Sequence, residues 1–127
     1  MEIIEGLFYT EEHEWIRLKG KRAYIGITDH AQHHLGEIVY VELPELDSEL
    51  EAGDILGVVE SIKAASDIYT AVSGTVAEVN ETLPDHPEKM NEAPYDSWIA
   101  AVDLADESEL DHLMDAAAYG KFCEGLE

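Results

Sequence analysis

Of the 127 residues, the one hardest to read as plain surface is Lys63. It lies in Gly57-Val58-Val59-Glu60-Ser61-Ile62-Lys63-Ala64-Ala65-Ser66-Asp67-Ile68-Tyr69, where two strand-like runs flank a connection of about four or five residues, so the lysine falls at a hairpin tip. Turn lysines are ordinarily solvated side chains and nothing more. The neighbours argue otherwise: Ile62 at an exposed tip costs solubility without serving a core, and Ala64 and Ala65 keep the surroundings slim. An enzyme that acylates a lysine needs an exposed amine and an unobstructed approach to it, and a hairpin tip offers both.

Other groups with reactive potential carry less. His30, His33 and His34 stand at i, i+3 and i+4, which on a helix puts His30 beside each of the others, near enough to share a divalent ion. Zinc sites normally add a thiolate or carboxylate with fixed outer partners, so these histidines read as solvated side chains that bind metal only opportunistically, and no metal is expected. Cys123, the only cysteine, follows Phe122 on a presumptive helix and reads as an inert packed thiol, because reactivity needs electropositive surroundings. No Gly-x-Ser-x-Gly elbow occurs, and the nine glycines are scattered, which leaves no phosphate cradle. None of these groups forms a familiar catalytic constellation.

The elements that must hold Lys63 are mostly strands. Trp15 to Leu18 and Ala23 to Ile27 alternate in the strand period around Lys19-Gly20-Lys21, with Glu14 on the face of Ile16 and Leu18. Thr28 caps a short helix from Asp29 to Leu35 that Gly36 ends. Strands are expected at Ile38 to Leu43, Ile55 to Val59, Ile68 to Val72, Thr75 to Val79 and, more weakly, Trp98 to Val102; the polar stretch Glu81 to Ser97, with Pro84, Pro87 and Pro94, reads as mostly loop. Asp106-Glu107-Ser108-Glu109 has the capping-box spacing, and Asp115 caps a second short helix through Phe122, which gives C-terminal helices over about 106–123. One domain spanning 1–127 is expected, with its hairpin tip at 60–67.

Charge narrows the partners. Seven Lys and Arg against 29 Asp and Glu give a formal charge of −22, which repels a phosphate backbone or an anionic bilayer, so neither nucleic acid nor membrane is an expected partner. Four of the seven basic residues, Arg17, Lys19, Lys21 and Arg22, fall in one short stretch, which isolates Lys63 in an acidic chain. A single cysteine excludes an intrachain disulfide, and a start of Met-Glu-Ile-Ile-Glu-Gly has neither the basic flank of a signal peptide nor the look of a transit peptide; a reducing cytosol or organelle matrix fits, and a cytoplasmic protein of bacterial type is expected ahead of a mature mitochondrial matrix form.

At the lysine hairpin the sequence resembles the H protein family of the glycine cleavage system, which carries lipoate. The resemblance extends to Tyr9-Thr10-Glu11-Glu12-His13-Glu14-Trp15, Gly26-Ile27-Thr28-Asp29-His30-Ala31-Gln32, Leu35-Gly36-Glu37-Ile38-Val39, Val41-Glu42-Leu43-Pro44 and Asn91-Glu92-Ala93-Pro94-Tyr95, in the family's order, from roughly Gly6 to Cys123. Biotin-carrying relatives of the fold set their lysine between methionines, whereas Ile62 and Ala64 flank this one, in favour of lipoate. The resemblance implies a mostly β, lipoyl/biotinyl-type flattened β-barrel sandwich with short helices, and lipoate in amide linkage on Lys63. It implies that the arm serves a pyridoxal-phosphate glycine decarboxylase, which loads the aminomethyl group of glycine, then an aminomethyltransferase, then dihydrolipoamide dehydrogenase, which takes the electrons. It further implies a cleft for the loaded arm, with Glu14, Asp67 and more weakly Glu12 as its acidic lining, and Glu60 as a feature read by the lipoate-attaching enzyme. Against the family pattern, Asp96-Ser97 and Asp47-Ser48 stand where glycine is usual, a departure confined to two loops. The same Lys63 would serve a relay module that donates lipoate to 2-oxoacid dehydrogenase complexes, and the sequence does not separate the two.

Overall fold

The structure, a computed structural model, describes residues 1–125. In chain order the elements are β1 (Phe8–Tyr9), β2 (Glu14–Lys19), β3 (Arg22–Ile27), α1 (Asp29–Leu35), β4 (Ile38–Glu42), β5 (Glu49–Leu50), β6 (Ile55–Ser61), β7 (Ala65–Tyr69), β8 (Gly74–Val79), the one-turn helices α2 (Thr82–Asp85) and α3 (Lys89–Glu92), β9 (Ala100–Leu104), a 3-10 helix (Glu107–His112) and α4 (Ala116–Glu124). Two antiparallel sheets result, one ordered β1-β2-β3-β9-β8-β5 and the other β4-β6-β7. Ile16, Ile25, Val76 and Val102 from the first meet Val41, Leu56, Val59 and Ile68 from the second in one buried cluster, the sandwich that the family resemblance implied. No helix among the described residues is long and apolar enough to cross a membrane.

Strand β2 buries both of its faces. Ile16 enters the cluster between the sheets, while Trp15 enters a second cluster with Leu7, Tyr9, Tyr95, Tyr119 and Cys123, so the C-terminal helix is sealed against the first sheet by aromatic side chains. Tyr9 and Tyr119 stack there with centroids 4.4 Å apart. The packing depends on Gly26, whose missing Cβ leaves room for the Trp15 ring, 2.6 Å from where that atom would sit.

Several boundaries differ from the sequence reading for local reasons. The strand after the lysine is Ala65–Tyr69 and not Ile68 to Val72, because the tip is tight enough for Glu60 to pair with Ala65 at once, and Thr70 then turns the chain by bonding the Val72 backbone. The strand expected at Trp98 to Val102 runs Ala100–Leu104, set by pairing with β3 and β8. Within the stretch Glu81 to Ser97, two single helical turns bury Leu83 and Met90. The capping-box Glu109 does not reach back to its own helix; its carboxylate accepts from the Ser73 amide (2.7 Å) and hydroxyl (2.8 Å), and the segment settles as a 3-10 turn. Asp115 does cap α4, accepting from the Ala118 amide. Asp47 adopts φ 66°, the left-handed region that a glycine would take there and that Asp tolerates. Ser97 is buried, its hydroxyl donating to the Lys89 carbonyl.

Candidate functional site: a braced lysine beside a cleft

The β6–β7 hairpin projects Ile62, Lys63 and Ala64 into solvent, with Ile62 70% exposed. Ser61 organises the turn. Its amide donates to the Ala64 carbonyl (2.7 Å), and its hydroxyl oxygen accepts from the amides of Ala64 (3.1 Å) and Lys63 (3.3 Å). The tip is also tied sideways, because the Ile62 amide donates to the Glu37 carbonyl (3.0 Å) on the segment that leaves α1. Asn91 in α3 holds that segment: its amide group donates to the Gly36 carbonyl (2.8 Å), and its side-chain oxygen accepts from the Ile38 amide (2.9 Å). Gly36 has φ 80° and ψ −155°, a conformation that is nearly glycine-only, and the Lys63 stem passes where a side chain would stand, with Cε 3.4 Å from an added Cβ. The lysine therefore hangs from a fixed platform, while its amine stays open.

Beside the hairpin lies a cleft of about 640 Å³ between β7, α1 and the turn before β2, lined in part by Glu12, His13, His30, His34, Ser66 and Ile68. Of the acidic residues picked from sequence, Glu12 lines it. Glu14 lies buried at 2% exposure, its carboxylate accepting from the Thr10 hydroxyl (3.0 Å) and from the amide of Tyr69, the residue after Ile68. Burial pushes the Glu14 carboxyl up to about 7, against the opposing pull of those two hydrogen bonds. Asp67 and Glu60 are exposed on the hairpin strands, Asp67 between two lining residues and Glu60 opposite Tyr40, and neither lines the cleft.

The wall facing the hairpin was not foreseen. His13 sits in the left-handed region (φ 65°) and stacks on His30 at 4.2 Å between ring centroids, and its Nδ1 lies 2.8 Å from the Tyr119 hydroxyl, which in turn is 2.7 Å from Thr28 Oγ1. Burial, then the neighbouring His30 and His34, hold His13 below the ordinary imidazole range. The i, i+4 spacing does place His30 beside His34, the two rings stacking with centroids 6.0 Å apart, and His30 also meets His13 from another segment. In sequence, His13 inside the Tyr9 to Trp15 block was the only available signal.

The chain as a whole is similar to proteins of one family. The family model for the glycine cleavage H-protein matches residues 7–125. The glycine cleavage system H protein of Thermoanaerobacter pseudethanolicus is 60% identical over 124 residues, covering 98% of each chain, and that of Clostridium botulinum is 50% identical over 127 residues, covering all of this chain and 98% of its own. A crystal structure of a glycine cleavage system H protein from Mycobacterium marinum superposes with a TM-score of 0.88 at 32% identity, over 96% of this chain and 99% of that one. With the family model matched over residues 7–125 and relatives 50–60% identical over nearly the whole chain, the chain belongs to the glycine cleavage H-protein family.

Proposed function

We propose that Lys63 carries lipoate in amide linkage and that the protein presents this arm in turn to a glycine decarboxylase, an aminomethyltransferase and dihydrolipoamide dehydrogenase, catalysing none of the steps itself. The observation that carries the reading is the combination at the hairpin: an amine open to solvent on a turn held rigid by Ser61, Glu37 and Gly36, directly beside a cleft. When attached, lipoate supplies a cyclic disulfide that opens to take up a one-carbon fragment and later returns two electrons.

The rest is the chain's own work. The rigid tip fixes where the arm begins, so the effective concentration of its far end at a docked active site is set by tether length. Glu60, exposed beside the tip, is read by the lipoate-attaching enzyme. The cleft, walled by Ile68 and stacked imidazoles, excludes water from an arm folded into it. Glu12 on its lining and Glu14 just behind Tyr69 supply the negative charge that a cationic amine needs, with Asp67, exposed on β7 between two lining residues, as a third carboxylate. Glu14, poised at about 7, ionises when a cation approaches, since an opposite charge favours the charged carboxylate. The partners meet the carrier in the cytoplasm, in keeping with the bacterial sources of its relatives.

The test is intact mass after co-expression with a lipoate-attaching enzyme, followed by glycine decarboxylation with the three partner enzymes. Wild type gains the mass of one lipoyl group and supports turnover, and Lys63→Arg does neither. Modification elsewhere, or turnover supported by the arginine variant, overturns the reading.

A further inference from the structure

Three stretches of chain, far apart in sequence, converge at one wall of the cleft. The turn before β2 brings His13, α1 brings His30, and α4 brings Tyr119 and, one helical turn later, Cys123. One ligating atom from each of His13, His30 and Cys123 lies within 4.8 Å of the other two. His30 Nδ1 is buried and has no hydrogen-bond partner among the described residues. A buried polar atom without a partner is uncommon and costs stability, so its presence beside two further metal-ligating groups calls for a reason.

We propose that His13, His30 and Cys123 bind a divalent transition metal of the zinc class, with the fourth coordination position opening to the cleft. Two imidazoles and a thiolate are a borderline-soft donor set that suits zinc and excludes magnesium and calcium. The outer partners that such a site needs are in place. His13 Nδ1 lies 2.8 Å from the Tyr119 oxygen and that oxygen 2.7 Å from Thr28 Oγ1, so in the Nδ1–H tautomer that metal binding requires, His13 donates to Tyr119, Tyr119 donates to Thr28, and His13 Nε2 keeps its lone pair free to ligate. The backbone at His13 is pinned as well, its amide donating to the Thr10 carbonyl and its carbonyl accepting from the Thr28 amide. Bond lengths of about 2.0–2.1 Å to nitrogen and about 2.3 Å to sulfur require the donors to draw together by roughly an ångström from their present separations. His30 supplies most of that movement by turning out of its stack on His13, and its unpaired Nδ1 has no bond to lose. Cys123 ligates as the thiolate and releases its proton to solvent. His34, which lines the same cleft, or a water takes the open position. The site differs from the one the helix spacing indicated: His33 is not part of it, and the thiolate that the histidines lacked comes from α4.

A chain of charge −22 attracts cations anywhere on its surface, so the experiment must report the ligands themselves. Tag-free, reduced, full-length protein without lipoate is titrated with cobalt(II) and then with zinc(II) against a chromophoric chelator. The expected result is one equivalent bound, with a thiolate-to-cobalt charge-transfer band that zinc abolishes. Cys123→Ser removes the band, and Cys123→Ser and His30→Gln each weaken zinc binding at least about tenfold, while His33→Gln changes neither readout. Binding without the band, or zinc affinity insensitive to both substitutions, overturns the proposal. If Cys123→Ser does not fold, His30→Gln decides alone: zinc affinity equal to wild type overturns the site, and a loss not shared by His33→Gln sustains it.

Discussion

The hairpin that bears Lys63 and the cleft wall that faces it are built in opposite ways. The tip is local: Ser61 and Ala64 close it, and its one sideways bond reaches Glu37. The facing wall is assembled from positions as far apart as His13 and Tyr119, and it rests on the second, aromatic cluster. Local construction lets the tip keep its amine exposed at little cost to the fold, whereas the distant construction makes the wall part of what holds α4 on the sheet. Function and stability are thus separated across a few ångströms.

The sharpest way to break this contrast is to truncate one residue on each side. Tyr119 is fully buried, stacked on Tyr9 and bonded to Thr28. Tyr119→Ala is expected to cost about 3–5 kcal/mol in urea unfolding, the range for losing a buried aromatic side chain. Lys63→Ala, at the exposed tip, is expected to shift stability by no more than about 0.5 kcal/mol while abolishing modification. Equal costs on the two sides would mean that the tip is structural after all.

Glu14 tests the wall by titration. Its carboxyl is raised from an ordinary value near 4.5 to about 7 by burial, so between those two pH values the folded protein holds a proton that the unfolded chain has released. The stability associated with the neutral form is therefore complete below pH 4.5 and lost as pH rises toward 7 and beyond, by on the order of 3 kcal/mol. Glu14→Gln keeps an acceptor for the Tyr69 amide and has no charge to bury. Its stability relative to wild type should rise between pH 5 and pH 8, and a difference that does not change with pH would remove the buried-carboxyl account.

What could be read from sequence follows the same division. Lys63, its hairpin, the Thr28 cap and the side of β2 on which Glu14 lies were legible because each depends on residues within a few positions of one another, which turn chemistry and strand alternation encode. The histidine pattern on α1 was visible, but its partners were not, since nothing local in Thr10 to Glu14 or in Tyr119 to Cys123 announces that they meet. Glu109 misled for a related reason. Its capping-box spacing is a local preference, and the Ser73 amide and hydroxyl offered a two-point tertiary partner. The two-residue strands β1 and β5 carry too few residues to show a period at all.

Gly36 joins the two regions, since it ends α1 and also lies under the Lys63 stem. In Gly36→Ala a side chain must occupy a nearly glycine-only conformation, at a cost of about 1–3 kcal/mol. The new methyl group also contacts Lys63 Cε. Both unfolding and the rate of lipoylation should therefore change together, and a variant that loses stability but is lipoylated at the wild-type rate would uncouple the platform from the amine it supports.

The smallest stability effect is expected at Glu60, where the comparison becomes a question of recognition alone. Glu60 is exposed, pairs through its backbone with Tyr40 and Ala65, and makes no side-chain hydrogen bond or ion pair among the described residues. Removing its carboxylate takes nothing from the fold, so Glu60→Ala should unfold within about 0.5 kcal/mol of wild type. An attaching enzyme that reads the acidic side of the tip would nonetheless meet an altered surface, and lipoylation should slow, with the loss appearing mainly in KM as salt already screens the same contact. Lipoylation kinetics at two ionic strengths, run beside urea unfolding, measure both quantities. A variant that is modified as fast as wild type would leave Ser61 and the rigid turn, and not the charge beside it, as what the enzyme recognises.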